Sequence, residues 1–174
     1  MAGGLSFLGE HGFWDYTSHT SGGMEGYGEK DYDLLLEDMT AAGMNSMVVM
    51  VKWLTTGYRS RLRYLDQHAH NPVIASDNAL LRRFLERAGE AGIRTWLGAV
   101  TTMYPLESLT DEPSAVQRDM AGTPLPFPVG VWDTDVEAVT ARSLEVLAEI
   151  AELFPLAGGL LVELEHGDKA MPHR

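Results

Sequence analysis

Short apolar runs alternate along the chain with stretches in which apolar residues recur every three to four positions. The runs predict strands: Leu5 to Gly9, Ser46 to Trp53 around Met47-Val48-Val49-Met50-Val51, Ile93 to Val100, and a fourth from about Gly159. Between them, Tyr32, Leu35, Leu36 and Met39 form one stripe of a helix over Asp31 to Ala42. Leu81, Phe84, Leu85 and Ala88 do the same for a second helix, with Ser76 or Asp77 as its N-cap. A third opens on the capping box Thr134-Asp135-Val136-Glu137 and carries Leu147, Ile150, Ala151 and Phe154 on its stripe. Gly43 and Gly92 close the first two helices, and Pro155 stops the third.

The helix exits repeat: Ala42-Gly43-Met44-Asn45-Ser46 and Ala91-Gly92-Ile93-Arg94-Thr95 each run small residue, glycine, aliphatic, two polar residues, then strand. The connections are lopsided. Helix-to-strand links are a few residues, whereas strand-to-helix links are long: about Phe13 to Lys30, then to Ser76, then the proline-rich Thr101 to Asp133. Long loops on one face and tight turns on the other predict an α/β fold of (β/α) TIM-barrel type, with chemistry at the C-terminal strand ends. A doubly wound open sheet is the alternative, but no G-x-G-x-x-G or Walker A sequence supports a nucleotide-binding version. A full barrel has eight strands in about 250 residues. The expectation is therefore one domain over residues 1–174 with about four βα units, a half or truncated barrel incomplete at its C-terminus, which would self-associate or meet a remaining half.

Charge and cysteine usage narrow the function. The 174 residues carry 25 acidic and 13 basic side chains, a net charge of −12. Nucleic acid and anionic membrane are poor partners for such a surface. No cysteine is present, which excludes disulfides and thiolate chemistry and fits the cytoplasm. The N-terminal residues lack a basic n-region and an apolar core, and no run is long enough to span a bilayer.

The fourth strand is where the candidate chemistry collects. Leu160, Val162 and Leu164 share one face; Leu161, Glu163 and Glu165 share the other, leading to His166 and Asp168. Carboxylates pointing into a core are costly unless paired. At the C-terminal end of a parallel strand they suit acid/base work, with Glu165 as the general acid and Glu163 as the like charge that raises its pKa. A structural alternative pairs Glu163 with Lys52 on the second strand. Around this pair, His11, Trp14, Trp53, Tyr58, Trp96, Trp132, His166 and Asp168 are candidates to bind substrate, since flat aromatics stack on sugar faces.

At Glu165 the chain resembles the large clan of retaining glycoside hydrolases with (β/α)8 barrels, whose acid/base glutamate ends strand 4. The resemblance implies carbohydrate hydrolysis without a cofactor, on a chain equal to half of that fold. Leu164 stands where those enzymes usually carry asparagine, and their nucleophile comes from a seventh strand. Two other classes compete. His11, Glu163, Glu165, His166 and Asp168 are also ligands a divalent ion would accept, and His68-Ala69-His70 is similar to the amidohydrolase H-x-H, pointing to a metal-dependent isomerase or amidohydrolase. Aromatics with half a site would make a non-catalytic carbohydrate-binding or assembly module.

Overall fold

A computed structural model describes residues 12–15, 28–52, 57–62, 78–101, 103–105, 129–131 and 136–163. For 12–15, 103–105, 129–131 and 163 the description covers the backbone. Among these residues, six strands and three helices follow in the order β1 (Gly12–Asp15), α1 (Glu29–Ala41), β2 (Ser46–Lys52), α2 (Ala79–Glu90), β3 (Arg94–Val100), β4 (Met103–Pro105), β5 (Val129–Val131), α3 (Glu137–Leu153) and β6 (Gly159–Glu163).

Strands β1, β2, β3 and β6 form one parallel sheet in that spatial order. Each new strand joins the edge beside its predecessor, the order a barrel requires and a doubly wound sheet does not. Among the described residues β1 and β6 remain the two edges, so a closed barrel is not formed.

Helix α1 forms because its apolar residues fall on one face and its N-terminus is capped. The Asp31 carboxylate accepts the Gly28 N–H at 2.8 Å, and Glu29 and Asp31 place negative charge at the positive end of the helix. Tyr32, Leu36 and Met39 are buried. In α2 the whole expected stripe, Leu81, Phe84, Leu85 and Ala88, is buried, together with Leu80. The Tyr32 and Phe84 rings meet at 4.6 Å between the two helices.

The two helices end in the same way. Met44 N–H bonds Met39 C=O at 2.9 Å and Gly43 N–H bonds Thr40 C=O at 3.0 Å; Ile93 to Ala88 and Gly92 to Gly89 repeat this at 2.8 and 3.0 Å. These are Schellman turns, and they need the positive φ that Gly43 (71°) and Gly92 (76°) supply. The repeat in the sequence is thus a repeat of structure. Behind the sheet, Met47, Val49 and Val51 of β2 and Leu97 and Ala99 of β3 join the helix residues in one buried core.

Some sequence expectations are corrected here, and others fall outside the described residues. The run Leu5 to Gly9 lies outside the described residues, and the strand that pairs with β2 is Gly12–Asp15, within the stretch that reads as a polar loop. A four-residue strand holding a glycine and an aspartate leaves no apolar run to detect. The proline-rich third loop contains the antiparallel pair β4–β5. Helix α3 starts at Glu137 with Val136 as N-cap and no side-chain cap bond; Thr134, the expected cap, lies outside the described residues, as do Ser76 and Asp77. Before α2 the N-cap position belongs to Asn78, whose amide is used elsewhere, accepting Arg59 N–H at 2.7 Å and donating to Arg59 C=O at 2.8 Å. On α3 the buried residues are Val139, Val146, Glu149 and Ile150, while Ala151 is exposed.

Candidate active site

Residues directly opposite one another in a sheet share a face, so the pairing sorts the inner face into rows. Gly12, Ser46 and Arg94 make the lowest row; Trp14, Val48, Trp96 and Gly159 the second; Met50, Gly98 and Leu161 the third; Val100 and Glu163 the row nearest the C-terminal ends. Glycines meet large neighbours. A Cβ on Gly159 would lie 2.5 Å from the Trp96 ring, and one on Gly98 would collide with the Met50 thioether. The lower inner face is therefore a layered, interdigitated floor of the kind that fills barrel interiors.

Glu163 is the last residue of β6 and stands opposite Val100 at the end of β3. The backbone thus delivers Glu163 to the C-terminal edge of the sheet. Glu165, His166 and Asp168 lie outside the described residues, as do His11, Trp53 and Trp132; Trp14 is placed by backbone register alone. The H-x-H of His68 and His70 lies outside too, and among the described residues no group of three acidic or histidine side chains could hold a metal ion.

Lys52 ends β2 and is 0% exposed. Its Nζ donates to Val100 C=O at 3.5 Å, reaching the residue that stands opposite Glu163. Burial lowers its pKa to about 7. The pairing of β2 with β3 is regular to Met50–Gly98, then shifts so that Lys52 stands opposite Ala99. That shift interrupts the two-residue alternation along β2.

Two expected binding residues are placed elsewhere. Trp96 sits four residues before Val100, about 13 Å below the strand ends at the rise of a strand, with the Arg94 guanidinium 6.0 Å from its ring. It belongs to the floor. Tyr58 is fully buried, its ring edge-on to Phe154 at 5.9 Å and its hydroxyl donated to Glu149 at 3.0 Å. It has no face left to offer a sugar.

The residue that sequence reasoning missed is Glu149. Its buried carboxylate accepts the Tyr58 hydroxyl, the Ser60 hydroxyl at 2.6 Å and the Arg61 N–H at 2.6 Å. The Arg61 guanidinium lies 3.6 Å from it and also bonds Glu152 at 2.6 Å, and these two glutamates raise the Arg61 pKa, Glu152 foremost. Helix α3 thus holds residues 58–61 of the loop that follows β2. The signal was present in the sequence, since Glu149 follows Val146 by three positions and interrupts an apolar stripe.

No protein-family model and no curated protein matches the chain. Solved structures do share its fold. A maltogenic α-amylase AmyB from Thermotoga neapolitana superposes with a TM-score of 0.60 at 16% identity, over 89% of this chain and 39% of the amylase. A β-galactosidase from Marinomonas ef1 gives 0.64 at 16% identity, over 91% and 22%. An α-L-fucosidase from Paenibacillus thiaminolyticus gives 0.63 at 14% identity, over 91% and 24%. The chain therefore spans well under half the length of these enzymes and has the α/β architecture of one part of them. No helix among the described residues is long and apolar enough to cross a membrane.

Proposed function

We propose that the chain is a cytoplasmic segment of a glycoside hydrolase catalytic domain, acting on a carbohydrate by carboxylate acid/base chemistry without a cofactor. The observation that carries this reading is Glu163 at the C-terminal end of β6, in a parallel sheet whose strands are added in order. Glu165 follows two residues later as the general acid; Glu163 serves as its charged neighbour. The fold shared with an amylase, a galactosidase and a fucosidase supports the class and leaves sugar and linkage open. His11, Trp14, Trp53, Trp132, His166 and Asp168 complete the proposed substrate contacts.

The test is release of 4-nitrophenol from a panel of α- and β-glycosides by the chain and by any longer product of its reading frame, with Glu165→Gln alongside. Hydrolysis in the wild type that falls in the variant supports the reading. Hydrolysis that survives in Glu165→Gln removes Glu165 from the mechanism, and absence of both hydrolysis and sugar binding removes the class. A stoichiometric divalent ion found by elemental analysis would favour a metal-dependent barrel enzyme, for which His11, His166 and Asp168 supply ligands of the right kind.

A further inference from the structure

Helix α3 is apolar on the side turned away from the sheet as well as on the side that packs. Its buried face carries Val139, Val146 and Ile150. Opposite them Thr140, Ala141, Leu144, Ala148 and Ala151 are exposed, Leu144 at 61%. The exposed charge within this stretch, Glu145, lies to one flank. The other two helices show water a charged side. The exposed residues of α1 include Glu29, Lys30, Asp31, Glu37 and Asp38, and those of α2 include Arg82, Arg83, Glu86 and Glu90. A helix that is apolar all round belongs in a setting that covers it all round.

The spacing of the exposed stripe selects what covers it. Ala141, Leu144, Ala148 and Ala151 run three, four and three apart, the a and d positions of a coiled-coil seam. Set antiparallel against a second copy, the seam matches itself about one two-fold axis: Leu144 falls opposite Ala148, and Ala141 opposite Ala151. Large then fills small at each leucine, and the helix dipoles oppose. A parallel pair would stack leucine on leucine and leave gaps at the alanines. The flank agrees in charge. Glu145 and Glu152 take the e positions, and the Arg61 guanidinium, 61% exposed, is bonded to Glu152 at 2.6 Å. In an antiparallel pair e faces e, so Glu145 of one copy approaches Arg61 of the other. We propose that two copies of the chain associate antiparallel through this face of α3. Three turns of helix make a short interface, so the dimer is weak and forms as concentration rises. It is distinct from pairing at the open edges of β1 and β6, which leaves α3 uncovered.

The chain has no cysteine, so introduced thiols report alone. Three variants of the 174-residue chain are compared: Ala141→Cys, Ala151→Cys and the two together. Within one copy these positions are about 15 Å apart along the helix, too far to bridge. Across the proposed interface each thiol of the double variant faces its counterpart. Under oxidised glutathione the double variant is expected to form a disulfide-linked dimer at least about tenfold faster than either single variant, because positioned thiols meet at a raised effective concentration. Adding Leu144→Arg, at an exposed position, should abolish that advantage with the circular dichroism unchanged. Equal rates in the double and a single variant overturn the proposal, since a parallel pair, association through the sheet edges or cover by a different protein gives no such difference. Survival of the advantage in Leu144→Arg overturns it too. The comparison of double with single variants decides the matter even if Leu144→Arg does not fold.

Discussion

The six-membered ring of Trp96 occupies the space in which a Cβ on Gly159 would stand. The two residues are partners across β3 and β6, so the sheet gains its fourth strand only with a residue that yields this room. Gly159→Ala is expected to destabilise the fold by about 1–3 kcal/mol through overpacking, read as a lower urea midpoint. An unchanged midpoint would mean that the indole moves aside freely.

Glu149 joins α3 to the loop after β2 through three hydrogen bonds. Glu149→Leu leaves the Ser60 hydroxyl and the Arg61 N–H without their acceptor and should cost about 3–5 kcal/mol. Tyr58→Phe removes one bond and should cost about 1 kcal/mol. Limited proteolysis should cut the 57–62 stretch faster in Glu149→Leu. Resistance equal to the wild type would show that the loop is held by something else.

Lys52 should make stability depend on pH in an uncommon direction. Its folded pKa of about 7 lies below the unfolded value near 10.4. Between these values the unfolded chain holds a proton that the folded chain does not. Stability therefore rises as the pH goes from 7 to 9.5, by at most about 1.4 kcal/mol per pH unit from this group; below 7 both states are protonated and the penalty is constant. Lys52→Met should lose this slope. Equal slopes in chemical denaturation of the two proteins would refute the assignment.

Glu165→Gln should preserve the fold and lower glycoside hydrolysis by roughly 10²-fold or more, because the amide cannot surrender a proton. Steady-state rates on the best aryl glycoside of the panel give the answer. If turnover is retained, the same measurement on Glu163→Gln and Asp168→Asn comes next.

Strands β1 and β6 are edges of the described sheet, and Val162, on the helix-facing side of β6, is 39% exposed. Edges and uncovered apolar faces favour association. Residues 1–174 alone are expected to scatter light as a dimer or larger species. A monomer at high concentration would contradict this.

Periodicity made the helices legible. Tyr32, Leu36 and Met39, and the whole Leu81–Ala88 stripe, were readable because each helix covers one side of the sheet and must be apolar there. Strands β2, β3 and β6 were readable as apolar runs for the same reason, and β1 was not. What escaped was decided by contacts distant in sequence. Asn78 holds the N-cap position of α2 but its amide is spent on Arg59, and Tyr58 reads as a loop aromatic until Glu149, 91 positions away, claims its hydroxyl. The role of Trp96 depends on depth along a strand, which an alternating pattern does not encode. For the site, the position of Glu163 at the end of β6 was legible, and the lowered pKa of Lys52 was not, because it comes from enclosure by the folded chain.

The matching turns at Gly43 and Gly92 also act as seams. Each closes its helix with local bonds alone and hands the chain to the next strand in the same pose. The segment from Met44 to Gly92 is consequently an interchangeable tile, with identical joinery at its front and back. Copying such a tile would leave the glycine turns at its two ends intact and raise the number of strands by one. A chain with this grain can change its girth by whole steps, while the long loops at the other rim change independently.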